Sequence, residues 1–329
     1  MVDVVELVPT IDLPASEETG LGLADLDRAC RDHGFFLMRN HGMQEAIDEM
    51  WRASADFFRQ PASVKRDVMR SEGNALGYYD REMTKRKRDL KEVFDFMLPK
   101  AGRNDPNNWP EDADFKSAML AFHTAATAVA ARTLNVIYQA LGAPTKGLPK
   151  GAPHTSNARL NYYPVTDPLN ASERTNVGAL GDMALHHHTD PGILTLLCQD
   201  LTGGLQAHSH ARGWIDVPPA PGTIVVNIGD ALQVWSNDNY RAGVHRVMPV
   251  KPDGSGRYST AYFYTPMIDA VLEPLNQLDE GEPHFTSFAW RDYIKGRLDD
   301  NYTDRGVDDI QIDRFRVKER AATGSPAGD

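Results

Sequence analysis

After about residue 155 the chain breaks into short β-rich runs separated by Gly, Pro and Asp turns, and no other feature restricts its fold as strongly. The runs are Arg159–Tyr163, Leu194–Gln199, Leu205–His208, Trp214–Val217, Thr223–Ile228, His245–Val247 and Arg257–Tyr264. Strands this short and this closely spaced suit a sandwich or barrel. Before them the period changes. Leu23, Leu26, Ala29 and Cys30 predict a helix over 22–32, stopped by Gly34. A second helix is expected over 44–58, and a long one over 112–141 on Met119, Phe122, Ala126 and Val129. Val8–Leu13, Phe35–Met38 and Glu92–Leu98 read as strands, the rest of 70–110 as loops, and 284–300 as helix. The expected fold is mainly β with flanking helices. It divides into an N-terminal α/β region (1–150), a β core (151–270) and a C-terminal helical segment and tail (271–329), packed as one compact unit.

Composition removes several classes of function. The chain has 329 residues, 41% hydrophobic and 25% charged, enough for a large core. With 35 basic and 46 acidic residues its formal charge is −11, the wrong sign for a nucleic-acid binder. The one basic run, Lys85, Arg86, Lys87, Arg88 and Lys91, is broken by Asp89 and Glu92. It reads as a solvated face; as a binding patch it would imply an anionic substrate. Two cysteines, Cys30 and Cys198, make no disulfide framework and suit a reducing cytoplasm. Met1 to Leu13 does not read as a signal peptide, and no run approaches the ~18 apolar residues of a membrane span. The expected partner is a small-molecule substrate, with no nucleic acid, membrane or obligate protein partner.

The densest chemistry is His186-His-His-Thr-Asp190. On an extended strand residues i and i+2 share a side, so His188 and Asp190 can reach one ion with Thr189 turned away. A later strand offers His245 as a third ligand. Two histidines and a carboxylate occupy one face of an octahedral ion and leave the other positions open, as oxygen-activating Fe(II) requires. His-x-Asp alone is a weak signal among 11 histidines, and a surface cluster is its plain alternative. A second pattern is Arg257-Tyr-Ser259, whose alternation aims Arg257 and Ser259 the same way. A guanidinium grips a carboxylate bidentately and a hydroxyl adds one bond. A surface arginine on an edge strand is the plain alternative.

Context decides between these readings. His188-Thr-Asp-Pro-Gly-Ile leads into Gly203-Gly-Leu205, then Pro221-Gly-Thr, Gly229-Asp230, Trp235-Ser-Asn237 and His245-Arg-Val247. With Val8-Pro-Thr-Ile-Asp-Leu13, Asn40-His-Gly42, Lys91-Glu-Val-Phe-Asp-Phe96 and Asn108-Trp-Pro110, this series resembles the 2-oxoglutarate/Fe(II) dioxygenases of the isopenicillin N synthase-like type over nearly the whole chain. The resemblance implies a distorted double-stranded β-helix, or jelly roll, framed by helices. It implies iron on His188, Asp190 and His245. It implies 2-oxoglutarate on Arg257 and Ser259, with Asn161 and Tyr163 of Arg159-Leu-Asn-Tyr-Tyr-Pro164 touching the cosubstrate or the metal shell. O2 would be consumed and succinate and CO2 released as the substrate is hydroxylated, desaturated or cyclised.

His186 and His187 match no ligand position, and solvent-facing roles are expected for them. On the substrate side the resemblance points to Phe263, which alternation puts on the face of Arg257, and to Tyr78 at the pocket mouth. Two alternatives stay open. Some family members are oxidases that use no 2-oxoglutarate and turn Arg-x-Ser toward a substrate carboxylate. A non-catalytic ligand-binding protein on the same fold is the other.

Overall fold

The computed structural model describes residues 8–13, 22–71, 73–84, 87–143, 147–175, 177–210, 212–250, 254–279, 281–298 and 310–317. Its centre is a pair of facing sheets. The larger runs in the order Thr10–Asp12, Phe35–Arg39, Ile224–Ile228, Leu194–Gln199, Arg257–Tyr264, Asn157–Tyr163, Glu92–Met97, Gly77–Tyr79. The smaller runs Gly213–Asp216, Leu205–Ser209, His245–Val247, Leu185–His188. This is the distorted jelly roll. Strands from before residue 100 extend the same sheet as those from beyond 155.

Alternation explains why residues 35–38, 224–226 and 196–198 of the large sheet are apolar on both faces. On Phe35–Arg39, Phe36 and Met38 face the helices, whereas Phe35 and Leu37 face the smaller sheet. Ile224 and Val226 divide from Val225 in the same way, and Leu196 and Cys198 from Leu197. Both faces of the sheet are therefore buried, one under helices and one inside the roll. Each such side chain contributes ~1.5–3 kcal/mol on burial.

The helix Ala113–Ala140 covers the outer face. Asp112 caps it, accepting from the backbone N–H groups of Asp114 and Phe115. Its buried stripe runs Phe115, Met119, Phe122, Ala126, Val129, Ala130. The helices Leu23–Asp32 and Gln44–Phe58 pack against it. Gly34 ends the first of these at φ 72°, and a Cβ there would lie 2.5 Å from the Arg241 carbonyl oxygen. Only glycine fits that crossing.

Three sequence expectations change. Helix over 284–300 gives way to a strand pair, Phe288–Ala289 with Val271–Leu272, and the helix begins at Trp290. The 70–110 region holds more than one strand: Gly77–Tyr79 pairs with Glu92–Met97, and Met83–Thr84 with Lys87–Arg88. The strand Leu185–His188 was not legible, because three histidines carry little β signal.

Candidate active site

Between the two sheets lies a cavity of about 460 Å³. Its first wall comes from the smaller sheet. His188 ends its strand and stands directly opposite His245. The ring centroids are 4.4 Å apart. Each Nδ1 meets a backbone carbonyl two residues earlier: His186 at 2.8 Å for His188, and Gly243 at 3.0 Å for His245. A carbonyl only accepts, so each Nδ1 carries the proton and each Nε2 presents a lone pair. Those Nε2 atoms lie 3.6 and 3.8 Å from Asp190 Oδ1.

Asp190 reaches this point by a different route from the one its spacing suggests. The strand stops at His188, and Asp190 lies in the following turn. Pro191 has no N–H to continue a ladder. The turn is held from the next loop instead, where the Asp230 N–H donates to the Asp190 carbonyl at 2.8 Å and that of Ala231 to Gly192 at 3.0 Å. Gly229 permits the approach, since a Cβ there would sit 2.2 Å from the Gly192 carbonyl oxygen.

These residues fit a metal ion. One ligand atom from each of His188, Asp190 and His245 lies within 4.8 Å of the others. Asp190 Oδ2 is buried with no hydrogen-bond partner, an orphan that a cation would satisfy. Burial, then His245, push the His188 imidazole well below its usual value, so it is neutral at neutral pH. Burial alone would raise the Asp190 carboxyl, but His245 and His188 bring it below its ordinary range. A carboxylate and a neutral imidazole are the forms that bind metal.

The second wall is an anion socket on the larger sheet. Arg257 stands opposite Tyr163, and Ser259 opposite Asn161. All four line the cavity, as do Ala261 and Phe263 on the same face. Tyr162 turns away and packs against Phe58 and Tyr258. Arg257 is 1% exposed and lies 5.0 Å over the Tyr163 ring. Its Nε donates to the Gly203 carbonyl at 2.7 Å, while Nη1 has no partner. Among the described residues no carboxylate pairs with it. A buried guanidinium so placed calls for an anion.

The third wall is charged and was largely missed. Glu82 accepts from Lys91 at 2.7 Å, Arg159 at 2.9 Å and Arg70 at 3.0 Å. Asp95 accepts from Arg159 at 2.8 Å and Arg70 at 3.1 Å. A signal was present: Arg159, Asn161 and Tyr163 alternate onto one face, and Arg159 stands opposite Asp95. The basic run is correspondingly not a solvated face. Lys91 is buried between Glu82 and Asp89, and Arg88 is buried against Asp167. Lys87 is exposed, while Lys85 and Arg86 lie outside the described residues.

Tyr78 is not at the pocket mouth. It is buried in the core, its hydroxyl 2.6 Å from Glu92 and its ring against Phe57, because its strand turns that position toward the helices. Ala75 and Leu76 line the cavity in its place. His186 faces neither solvent nor cavity but bonds Asp89 at 3.2 Å, and His187 is exposed.

Known proteins agree with this geometry. Residues 154–266 match the 2OG-Fe(II) oxygenase superfamily, and residues 8–112 the non-haem dioxygenase in morphine synthesis N-terminal family. A homoarginine-6-hydroxylase of Oryza sativa subsp. japonica is 32% identical, covering 84% of this chain and 88% of the relative. Gibberellin 2-beta-dioxygenase 4 of Arabidopsis thaliana is 30% identical over 94% of this chain and 95% of its own. A full-length Neurospora crassa protein solved with alpha-KG superimposes with TM-score 0.76 at 27% identity, covering 90% of this chain and 96% of that one. JOX2, solved with 2OG, Fe and JA, gives TM-score 0.73 at 28% identity, covering 87% and 83%. The chain belongs to the 2-oxoglutarate/Fe(II)-dependent dioxygenases of the isopenicillin N synthase-like type. It is an oxidoreductase that uses iron, 2-oxoglutarate and O2 on a small molecule.

Proposed function

We propose that His188, Asp190 and His245 hold the iron, that Arg257 and Ser259 hold the distal carboxylate of 2-oxoglutarate, and that Asn161 and Tyr163 flank it. The observation that carries this reading is Arg257 Nη1, buried and unpartnered on the cavity shared with the triad. Bound iron would supply O2 activation coupled to decarboxylation of 2-oxoglutarate to succinate and CO2, spent on oxidising the substrate. The chain's own residues do the rest. The His186 and Gly243 carbonyls keep both imidazoles turned inward. Asp190 brings the one anionic ligand. The Arg257 fork and the Ser259 hydroxyl donate to the carboxylate and set the cosubstrate's register along its strand. Phe263, Ile268, Trp290 and Ile294 give the remaining space an apolar lining that excludes water around the substrate.

The relatives' names, homoarginine, gibberellin and 1-aminocyclopropane-1-carboxylate among them, support a small-molecule substrate. The charge of −11 supports the absence of a nucleic-acid partner. Among the described residues no helix is long and apolar enough to cross a membrane. We place the protein in the cytoplasm on its two buried, unbonded cysteines, which suit a reducing compartment; cell fractionation that recovers it in a secreted or membrane pool would refute this. The test of function is succinate formation from 2-oxoglutarate by the iron-loaded protein, with and without candidate substrates. O2 consumption that ignores 2-oxoglutarate and yields no succinate would overturn the role given to Arg257.

A further inference from the structure

The helix Trp290–Leu298 lays one stripe on the cavity: Trp290, Ile294 and, one turn on, Arg297. An arginine therefore occupies a position where the pattern calls for an apolar side chain. It is 7% exposed. Its Nη2 donates to the Thr189 carbonyl at 2.5 Å, between the two ligands His188 and Asp190. Among the described residues it forms no ion pair. Asp230, the buried carboxylate beside the same loop, instead takes the Tyr293 hydroxyl at 2.6 Å.

Charge accounting isolates this residue. Of the four cations among the described residues that line the cavity, Lys91 and Arg159 are matched by Glu82 and Asp95. Arg257 is matched by the distal carboxylate of 2-oxoglutarate in the reading above. A divalent ion is matched by Asp190 and the cosubstrate's other carboxylate. Arg297 is left without an ion pair among the described residues, beside the metal loop and apart from the Arg257 socket. The buried Asp230 carboxyl feels its charge, but burial raises that carboxyl above the ordinary aspartate range and its Oδ2 accepts from Tyr293 instead. A buried, unspent guanidinium is costly unless a ligand neutralises it.

We propose that Arg297 is a specificity-determining residue that binds an anionic group, most simply a carboxylate, on the substrate. This rests on Arg257 holding 2-oxoglutarate. Anchored there, a substrate is oriented from the C-terminal helix, and its apolar body lies against Trp290, Ile294 and Phe263. The single bond to Thr189 fixes the guanidinium fork and leaves its other donors for the ligand.

The test needs no knowledge of the natural substrate. The full chain, loaded anaerobically with Fe(II) and saturating 2-oxoglutarate, is titrated with matched acids and primary amides: phenylacetate and phenylacetamide, indole-3-acetate and indole-3-acetamide. Binding is read by ligand-observed NMR. The wild type should retain at least one acid roughly ten- to a hundred-fold more tightly than its amide. Arg297→Gln should erase that ratio, and Arg297→Lys should keep part of it. Equal retention of acids and amides by the wild type, including retention of neither, overturns the proposal. So does an acid preference that survives Arg297→Gln, or a fall in thermal stability in that variant with the ratio unchanged, which would leave Arg297 a purely structural counter-charge to Asp230. The affinity for 2-oxoglutarate, measured on the same samples, reports separately on Arg257: it should be unaltered by Arg297→Gln.

Discussion

His188 and His245 face each other across an antiparallel strand pair, and each imidazole is tethered through Nδ1 to the carbonyl of the residue two places before it. The tethers are backbone groups, so both Nε2 atoms are aimed at Asp190 by the fold itself. Such outer contacts orient metal ligands and hold their tautomer.

The first prediction separates side chain from backbone at this site. Asp190→Ala should weaken Fe(II) binding by more than about a hundred-fold, since even outer-shell losses cost roughly ten- to a hundred-fold. His186→Ala keeps the carbonyl that tethers His188 and should change iron affinity by less than about ten-fold. Anaerobic iron titration measures both, and near-normal binding by Asp190→Ala would remove it from the metal site.

Loss of Arg257 should act on the cosubstrate and spare the metal. A charge-assisted hydrogen bond contributes about 1.5–3 kcal/mol, so Arg257→Ala should raise the Kd for 2-oxoglutarate roughly ten- to over a hundred-fold. Ser259→Ala removes one neutral donor and should cost less. Titrating 2-oxoglutarate into iron-loaded protein gives the comparison; an unchanged Kd in Arg257→Ala would assign the socket to another anion.

Acid should loosen the charged wall. Burial alone would raise the Glu82 carboxyl, but Arg159, Lys91 and Arg70 hold it well below the usual glutamate range. A depressed folded value contributes stability in full above the unfolded value of about 4.3, and loses it as pH falls toward the folded one. Glu82→Gln should destabilise the protein by about 3–5 kcal/mol at neutral pH, because it strands buried cations. Its stability should also fall less steeply than that of the wild type below about pH 4.3. Denaturant titrations at several pH values test both statements, and parallel pH profiles for the two proteins would contradict the second.

Neither cysteine should act as a redox sensor. Both are buried, and burial pushes the Cys198 thiol up to about 12 and the Cys30 thiol up as well. Thiolate is the reactive form, so a thiol reagent at pH 8 should label neither residue until the protein unfolds. Rapid stoichiometric labelling of native protein would show that one of them is accessible.

Unfolding should be a single cooperative event. The large sheet interleaves Phe35–Arg39 with Ile224–Ile228, and Glu92–Met97 with Asn157–Tyr163, so strands from before residue 100 and beyond 155 share one core. Far-ultraviolet circular dichroism and tryptophan fluorescence should report one coincident transition. A stable, iron-binding proteolytic fragment beginning near residue 150 would contradict it.

Local periodicity carried much of this protein in its sequence. The helix Gln44–Phe58 and the strands Leu194–Gln199 and Arg257–Tyr264 lie where apolar spacing puts them. Alternation alone ranks Arg257, Ser259, Ala261 and Phe263 on one face, because side-chain direction along a strand depends on the strand and nothing else. Tertiary structure decided what depends on distant partners. Asp190 is placed by a turn bonded to residues 230–231, which spacing from His188 does not encode. Tyr78 went to the core because its strand pairs with Glu92–Met97 under the helices. Lys91 and Arg88 are buried because Glu82 and Asp89 meet one and Asp167 the other. A charge run reads as solvated until its counter-ions are known, and those are brought together only by chain segments that meet in the folded state.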